Sequence, residues 1–558
     1  MQKTCLLLAS VLALPPALAL GQTTEELIND GKNPENVLTQ SMGLDRKSYS
    51  PLAQINRSNI KRLVPIWSTS LMNDNGELAA PVVYDGVIYA INAKWTFAIN
   101  VENGRQIWRT PVQYEPGSTR VASAIYRGAP AIYNGKLFRV TADNHLVALE
   151  MKTGRVLWNQ KYAEGKEGYY SSSAPIVANG VLISGMAGGE STTRGFLDGW
   201  NPDTGEKLWR QYTIPAPGEP GSETWPANSD AWKYGGGATW RSGSYDPQLD
   251  LVYWGVGNAE PYDPRPREAL DSLYTSSVLA FRPKTGELAC YYQFTPNDVY
   301  DVDGTDEFVL ADVKMNGVNG QPRKVMIQAN KNGFMYVLDR TNCKLIAANP
   351  FVKVNWAERI DLATGRPVLT DIYKRFLAGE EVEIYPSRGT NAVPIAFNPN
   401  NGLVYATTWN VPRIQKLVMT PAPQVLGGST TGVTARLPQV PPGQPYGHFT
   451  AIDPLTGKSK WAIPMLDLPS SAGVLATGGG VIFTGKLTGE FIALDEETGK
   501  TLWQFKTGSS VNSTAITYTH NGKQYVTVAS GLGGGLASRY AADKVPTGGS
   551  IWTFAIMN

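Results

Sequence analysis

The chain has 558 residues, and its 50 Lys and Arg nearly balance its 48 Asp and Glu. Without a basic surplus, the composition favours neither a nucleic-acid-binding protein nor a membrane-surface protein. The 57 glycines and 38 prolines, together with 15 tryptophans and 26 tyrosines, are typical of many short strands joined by turns rather than of long helices.

The N-terminal stretch predicts a secretory signal peptide. MQKTCLLLASVLALPPALALGQ has one lysine, an apolar run that begins at Cys5, and small residues at Ala17 and Ala19, which is the pattern of a segment that is cleaved after export. The apolar run is too short to span a bilayer. We therefore expect a signal peptide over residues 1–21, a periplasmic mature chain over residues 22–558, and no membrane span.

The cysteines and histidines indicate which disulfide, haem and metal sites the chain could form. Cys290 and Cys343 either pair or stay free in an oxidising compartment, and the sequence leaves both alternatives open. No CxxCH motif is present, so the sequence predicts no attached c-type haem. The histidines are few and widely separated, which gives little support to an imidazole metal site.

A hairpin pattern is repeated along most of the chain. Each copy has an alternating apolar strand, a turn built on Asp or Asn and Gly, and a second strand that ends in an aromatic or apolar residue. The clearest copies are FAINVENGRQIW, LVALEMKTGRVLW, LDGWNPDTGEKLW, VLAFRPKTGELAC, FTAIDPLTGKSKW and FIALDEETGKTLW. Several copies lie about 40 to 50 residues apart, which matches one four-stranded propeller blade per copy. Weaker copies, MYVLDRTNCKLI and IDLATGRPV, occupy part of the interval between Cys290 and Trp461.

Strand pairs of another type lie between these hairpins. They include AAPVVYDGVIYAI, SAPIVANGVLISG and GGGVIFTGKL, and we interpret them as inner strands of successive blades. A β-sandwich with coincidental Thr-Gly turns is the alternative, but it does not explain a tryptophan at a constant distance after the glycine. The sequence therefore predicts an all-β propeller that forms a single domain over residues 22–558.

The repeats resemble the tryptophan-docking motif of the eight-bladed quinoprotein alcohol dehydrogenases, which hold pyrroloquinoline quinone (PQQ) and a metal ion in the axis of the propeller. The resemblance extends over essentially the whole mature chain. It includes further motifs in family order: RVASAIYRGAPAIYNGKLF, GMAGGESTTRGFLDGWNPDTG, WKYGGGATWRSGSYDPQLDLVYWGVGN, TPNDVYDVDG and IQANKNGFMYVLDR. It implies an eight-bladed propeller that oxidises an alcohol by hydride transfer to metal-activated PQQ. It also implies that the electrons leave to a soluble cytochrome c or another periplasmic acceptor.

The resemblance assigns the metal ligands to acidic and amide side chains. Glu190 in GGES and Asn258 in GVGN match ligand positions of the family, and Asp301 in YDVDG matches the carboxylate that contacts the metal and acts as the catalytic base. Oxygen ligands of this kind suit a hard cation, here Ca²⁺ or a lanthanide such as La³⁺ or Ce³⁺. An aspartate at the position of Asp303 resembles the lanthanide-dependent branch, which makes it a further ligand. Its alternative role is to cap the turn at Gly304.

The resemblance also assigns the residues that bind PQQ. Trp240 in GGGATW matches the indole on which the planar quinone stacks. Arg127 in YRG and Lys331 in NKNG match cationic positions that face the carboxylates and quinone oxygens of the cofactor. Further contacts with the cofactor are assigned to Ser172, Gly188, Gly189, Thr239 and Asn391.

The sequence departs from the family pattern near the same pocket. Val121 and Ala122 stand where family members often have a vicinal disulfide over the quinone, and Ala238 followed by Thr239 replaces a threonine that directly follows the glycines. Ala392 stands where a tryptophan follows the asparagine. The loss of bulky groups predicts a substrate larger than methanol, such as a secondary alcohol, a polyol or a sugar.

Other functions are weighed against this interpretation. A non-catalytic propeller scaffold of the cell envelope would keep the docking repeats but lose the central residues, whereas Glu190, Asn258 and Asp301 are all present. A hydrolase or lyase with paired acids in the propeller channel does not explain the GGGATW motif. The sequence therefore favours a dehydrogenase over both alternatives.

Overall fold

The computed structural model describes residues 21–72, 76–118, 128–314, 322–391, 393–420, 424–533, 539–541 and 543–557. The α-helices of this part of the chain are short, α1 (Thr24–Ile28) and α2 (Ile372–Leu377). None of the helices found there is long and apolar enough to cross a membrane. Nearly all of the predicted signal peptide lies outside the described residues.

Strands dominate the fold. In chain order they are β1 (Tyr49–Ser50), β2 (Leu63–Ser70), β3 (Val82–Tyr84), β4 (Val87–Ile91), β5 (Trp95–Asn100), β6 (Gln106–Pro111), β7 (Ala131–Tyr133), β8 (Lys136–Val140), β9 (His145–Glu150), β10 (Val156–Lys161), β11 (Ile176–Ala178), β12 (Val181–Gly185), β13 (Phe196–Trp200), β14 (Lys207–Tyr212), β15 (Ser244–Asp246), β16 (Leu251–Gly255), β17 (Ser277–Phe281), β18 (Leu288–Gln293), β19 (Val309–Val313), β20 (Arg323–Ala329), β21 (Phe334–Asp339), β22 (Leu345–Pro350), β23 (Ala357–Asp361), β24 (Arg366–Leu369), β25 (Val382–Ile384), β26 (Ala396–Asn398), β27 (Leu403–Trp409), β28 (Arg413–Leu417), β29 (Val433–Arg436), β30 (Gly447–Ile452), β31 (Ser459–Pro464), β32 (Leu475–Thr477), β33 (Val481–Gly485), β34 (Glu490–Asp495), β35 (Thr501–Lys506), β36 (Ile516–His520), β37 (Lys523–Gly531) and β38 (Gly549–Ile556).

Most sheets are four-stranded antiparallel meanders of consecutive strands. These are β3-β4-β5-β6, β7-β8-β9-β10, β11-β12-β13-β14, β15-β16-β17-β18 and β19-β20-β21-β22. In the next four-stranded sheet, β26-β27-β30-β31, the strands β28 and β29 are inserted after β27 and belong to the separate sheet β25-β28-β29. Strand β1 adds to the sheet β32-β33-β34-β35 in parallel orientation. In the remaining four-stranded sheet, β2 from the N-terminal part of the chain pairs with β38 at the C-terminal end, which joins the two ends of the ring. The all-β propeller predicted from the sequence is thereby confirmed.

Burial changes regularly from the first to the last strand of a sheet. In one sheet, every residue of β11, β12 and β13 is buried, whereas β14 begins with exposed residues. The exposed and half-buried residues alternate in β6 and β31. An alternating pattern is expected of a strand with one face to solvent, and a uniformly apolar run is expected of a strand buried on both faces. The strand pairs interpreted as inner strands of the blades do occupy the buried positions.

A tryptophan-on-glycine contact explains the constant spacing in the repeats. The indole nitrogen of Trp108 donates to the carbonyl oxygen of Met151 in the next sheet at 2.9 Å. A Cβ atom added to Gly154 would lie 2.5 Å from the Trp108 ring, and Gly154 has φ +73°, so the turn needs a glycine for both space and backbone conformation. The same contact with a glycine turn is made by Trp67, Trp158, Trp209 and Trp461, whereas Trp503 donates to the carbonyl oxygen of Leu63, which is followed by Ile66 in place of the glycine.

A disulfide replaces this contact at one boundary between sheets. Cys290 and Cys343 are bonded, with their Cα atoms 5.8 Å apart. Cys290 stands in the repeat where other copies have the docking tryptophan, and Cys343 stands where they have the glycine, with a left-handed φ of +61°. The alternative left open by the sequence is thus resolved in favour of pairing.

Candidate functional site

The predicted site residues lie on connections at one end of the propeller. In an antiparallel meander, every second connection leaves from the same end of the sheet. These are the connections after β10, β12, β14, β16, β18 and β20, and they contain, respectively, Ser172, Glu190, Trp240, Asn258, the pair Asp301 and Asp303, and Lys331. The Thr-Gly turns of the repeats occupy the opposite end. Residues that are far apart in sequence are therefore brought to one rim.

The two aspartates of YDVDG converge on one lysine. The ammonium of Lys331 contacts Asp301 Oδ1 at 2.8 Å and Asp303 Oδ2 at 2.6 Å. The other oxygen of Asp303 accepts hydrogen bonds from the backbone N–H of Asn258 and from the indole N–H of Trp240, both at 3.2 Å. Asp303 is only 3% exposed, and its carboxylate faces Lys331, Asn258 and Trp240.

Opposite charges keep Asp301 ionised. Burial alone would raise the pKa of Asp301, but Lys331 and Arg413 outweigh burial and lower it. Arg413 donates from Nη1 to Asp301 Oδ2 at 2.7 Å. Burial likewise opposes the charge of Lys331, yet the two aspartates raise its pKa. The chain thus holds a carboxylate at the position predicted for the catalytic base.

Glu190 behaves in the opposite way. Burial and the negative charges of Asp301 and Asp303 raise the pKa of Glu190 to about 7. It lies in the short 3₁₀ turn Gly189–Ser191, which begins after Gly188 at φ +107°. Because this half-buried side chain lies beside like charges, its ionised form requires additional positive charge.

Two features bring Glu190 and Asn258 together. A Cβ atom on Gly189 would lie 3.8 Å from Asn258 Oδ1 and 3.4 Å from the Ala238 methyl group, so a glycine lets the turn approach closely. The amide nitrogen of Asn258 donates to the carbonyl oxygen of Ala259 at 3.1 Å. The amide oxygen of Asn258 therefore faces the turn that contains Glu190.

The donor set fits a hard cation. Carboxylates of Glu190, Asp301 and Asp303 and the amide of Asn258 supply only oxygen atoms, which calcium and lanthanides prefer. Lys331 supplies the positive charge between the two aspartates, and no three acidic, histidine or cysteine side chains of the described residues converge as ligands of one ion do. The raised pKa of Glu190 indicates where the additional charge of a cation is needed.

The residues predicted to bind the quinone differ in their surroundings. Trp240 is half-buried and its indole edge is held by Asp303, which fixes the ring beside the acids. The hydroxyl of Thr239 donates to the Phe196 carbonyl oxygen at 2.6 Å and accepts from the Met186 N–H at 3.0 Å, so it also joins neighbouring strands.

Some of the other predicted cofactor contacts lie in the described part of the chain, and some lie outside it. Ser172 is buried, and Asn391 is half-buried in the loop before β26. Arg127 lies outside the described residues, and so do Val121, Ala122 and Ala392. The prediction that all of these residues surround the quinone stays a prediction.

Sequence reasoning missed several charged residues of the site. Arg413, at the start of β28, contacts Asp301 and lies 5.1 Å from the Tyr262 ring centre. Glu260 is fully buried, and neither of its carboxyl oxygens has a hydrogen-bond partner in the described part of the chain. Burial raises its pKa well above the usual range. Arg388 is close enough to Asp301 and Arg413 for the charges of both to affect its pKa. Glu260 and Arg388 could have been found from the sequence, because Glu260 lies two residues after the GVGN motif and Arg388 directly precedes GTNAVP.

Comparisons with known proteins agree with this geometry. The family model described as PQQ, glucose/ethanol/alcohol dehydrogenase, β-propeller domain, matches residues 41–354 and 371–526. The quinoprotein alcohol dehydrogenase PedH of Pseudomonas putida is 35% identical over 99% of this chain and 96% of its own length. The quinoprotein ethanol dehydrogenase of Pseudomonas putida is 34% identical over 99% of this chain and 95% of its own. Among solved structures, a europium-containing methanol dehydrogenase has a TM-score of 0.89 at 32% identity, covering 95% of this chain and 100% of its own.

Proposed function

Because the chain belongs to the PQQ-dependent (quinoprotein) alcohol dehydrogenase family, we propose that it oxidises an alcohol to an aldehyde or ketone with bound PQQ and one metal ion. The observation that carries the proposal is the cluster at one end of the propeller in which Asn258, Asp303 and Lys331 are buried and Glu190 and Asp301 are half-buried. A scaffold protein has no need to bury charges that repel one another. The eight sheets of four or five strands in the described part of the chain support an eight-bladed propeller.

The chain's own residues perform the proton chemistry of the proposed reaction. When bound, PQQ supplies the carbonyl carbon that accepts hydride from the substrate, and the metal ion polarises that carbonyl. Asp301 accepts the hydroxyl proton of the substrate, since Lys331 and Arg413 keep it ionised. Glu190, Asn258, Asp301 and Asp303 would hold the ion, and Trp240 would support the flat face of the quinone.

The setting of the reaction follows from the family and from the N-terminal pattern. We place the enzyme in the periplasm, with a soluble cytochrome c or another periplasmic carrier as the electron acceptor. The small residues Val121, Ala122 and Ala392 support a substrate larger than methanol, such as a secondary alcohol, a polyol or a sugar.

The direction of Asp303 supports a lanthanide in preference to calcium. Its carboxylate enters the site and contacts Lys331, Asn258 and Trp240. A third carboxylate beside Glu190 and Asp301 leaves a divalent ion in a net negative site, whereas a trivalent ion balances it. To test this, metal-free protein is reconstituted with Ca²⁺ or La³⁺, for the parent and for Asp303→Ala. Lanthanide activity should collapse in the variant while calcium activity persists, and an equal loss with both ions would contradict the preference.

Reconstitution tests the proposed function itself. Metal-free protein is incubated with PQQ, with a hard cation, with both, or with NAD, and dye-linked oxidation of an alcohol panel is measured. Activity should require PQQ and the cation together, because no glycine-rich nucleotide fingerprint that follows a strand and opens a helix is present. Binding of PQQ is followed separately by its absorption spectrum. Activity with NAD alone, or no PQQ binding at all, would refute the proposal and leave the scaffold alternative.

A further inference from the structure

A short loop inserts an arginine between two parts of the site. The backbone N–H of Gly389 donates to the carbonyl oxygen of Lys331 at 2.7 Å, and the N–H of Ser387 donates to the carbonyl oxygen of Val411 at 2.8 Å. Arg388 lies between these two anchors. The loop is therefore fixed on one side to the lysine that bridges the aspartates and on the other to the segment that leads into Arg413.

The guanidinium of Arg388 has no acceptor among the described residues. It makes no hydrogen bond or ion pair there, its Nε is buried without a partner, and its nearest aromatic contact is the Trp409 ring at 5.8 Å from the guanidinium carbon. Burial lowers the pKa of Arg388, while the negative charge of Asp301 acts in the other direction. Buried donors are nearly always paired, so an arginine in this position indicates an anion that it would bind.

Only some of the hydrogen-bond donors of Arg413 have partners in the described part of the chain. One terminal nitrogen of Arg413 binds Asp301, but its buried Nε has no partner within the described segments. Its side chain is 11% exposed and stacks at 5.1 Å from the Tyr262 ring centre. With Lys331, the two arginines place three cations around Asp301, and Lys331 is also shared with Asp303. Arg388 and Arg413 therefore both keep a buried Nε–H without an acceptor among the described residues on this side of the base.

We propose that Arg388 and Arg413 form a carboxylate-binding subsite beside Asp301, and that the alcohol substrate carries a carboxylate group. The inference rests on the proposed function and names its substrate class. A guanidinium presents parallel N–H groups that match the two oxygens of a carboxylate. Because Arg413 touches the base directly, the hydroxyl and the carboxylate of the substrate are separated by only a few bonds. Oxidation of such a hydroxy acid removes the hydroxyl proton to Asp301 and the carbinol hydride to PQQ, and yields an aldehyde or keto acid.

A carboxylate can also come from the cofactor, since PQQ itself carries carboxylates. The experiment separates the two sources. The reconstituted holoenzyme is assayed with glycolate, lactate, 3-hydroxypropanoate and 4-hydroxybutanoate, each beside a neutral counterpart, respectively ethylene glycol, 1,2-propanediol, 1,3-propanediol and 1,4-butanediol. The same assays are run on Arg388→Gln and on the control Arg359→Gln, whose side chain is 62% exposed on β23. The Kd of PQQ is measured for each protein by absorption titration.

The parent should oxidise at least one hydroxy acid with a lower KM than its neutral counterpart. Arg388→Gln should raise the KM for that acid at least tenfold more than the KM for the counterpart, with the Kd of PQQ within threefold of the parent, and Arg359→Gln should match the parent throughout. Arg413→Gln should lower kcat for acids and neutral alcohols alike, because it also releases Asp301.

Each contrary result has a distinct meaning. Oxidation of neutral alcohols but of no hydroxy acid would overturn the subsite and leave the proposed function intact. A weaker Kd for PQQ in Arg388→Gln, with no change in the KM ratio of acid to neutral substrate, would overturn the substrate assignment and give the arginine to the cofactor. No oxidation of any alcohol by the PQQ- and metal-loaded parent would refute the proposed function itself.

Discussion

We predict that the disulfide between Cys290 and Cys343 stabilises the boundary between two sheets in the way that the tryptophan–glycine contact stabilises the other boundaries. Replacing both cysteines with alanine removes a link across a sequence separation of 53 residues. Closing a loop of that length lowers the entropy of the unfolded chain by an amount equivalent to about 4 kcal/mol. For a chain of this size the entropy of unfolding is about 1 kcal/mol per kelvin, so the melting temperature should fall by about 4 °C.

The matched variant restores the contact used by the other repeats. Cys290→Trp combined with Cys343→Gly places an indole over a glycine with the required left-handed backbone. In the other repeats the indole bonds a carbonyl three residues before the glycine, which here is the carbonyl of Arg340, and that oxygen already accepts from the Tyr253 hydroxyl at 2.5 Å. We therefore expect this variant to recover about half of the lost stability, since one hydrogen bond contributes about 1 kcal/mol and indole burial about as much again.

Thermal unfolding followed by circular dichroism, at several scan rates, measures these shifts. The parent protein with its disulfide reduced should have the same melting temperature as the alanine variant. This comparison controls for effects of the substitutions themselves. The reasoning is refuted if the alanine variant melts within 1 °C of the oxidised parent, or if the tryptophan and glycine variant is the least stable of the set.

Three further predictions concern the site and the repeats. Trp240→Ala should weaken PQQ retention by about tenfold or less in Kd while the circular dichroism spectrum is unchanged, because stacking adds only about 0.5–1.5 kcal/mol; an unfolded variant would make the residue a core plug instead. Because the pKa of Glu190 is raised from 4.5 to about 7, its contribution to the stability of the metal-free protein is complete below pH 4.5 and is lost as the pH rises to about 7. Cation binding should therefore release a proton and tighten as the pH rises to about 7, measured by titration in two buffers, and Glu190→Gln should remove that dependence. Gly499→Ala should destabilise the fold by about 1–3 kcal/mol more than Gly522→Ala, because both glycines have φ near +74° but only at Gly499 would the new Cβ meet a neighbour, Trp461 at 2.7 Å; equal melting temperatures would contradict the docking argument.

The fold was predictable because its signal is periodic and local. A glycine turn followed four residues later by a tryptophan, as at Gly154 and Trp158, recurs at nearly blade-length intervals, and each copy reports the same packing. The replacement of one such pair by Cys290 and Cys343 was visible in the same register, but pairing depends on the approach of two sheets. A local sequence pattern does not predict how closely two sheets approach each other.

The site was predictable only where the motif itself contains the functional residue. Asp301 and Asp303 belong to one short motif, so their role was assigned from the sequence. Arg413 is 112 residues away from Asp301, in a three-stranded sheet, β25-β28-β29, that lies outside the repeating pattern. No periodicity predicts that contact, because it depends on how an inserted sheet lies over the rim.

The charges of the site explain why the pKa values of Glu190 and Asp301 move in opposite directions. Asp301 and Asp303 share Lys331, and Arg413 adds a second cation to Asp301 alone. Glu190 forms no ion pair among the described residues, so burial and the charges of Asp301 and Asp303 raise its pKa, whereas Lys331 and Arg413 outweigh burial and lower the pKa of Asp301. A multivalent cation in this set would supply Glu190 with its missing counter-charge and would compete with the ammonium of Lys331 for the aspartates. Metal loading should then free the lysine to face a different anion, and the cofactor's quinone oxygens are the partners that the family resemblance assigns to it.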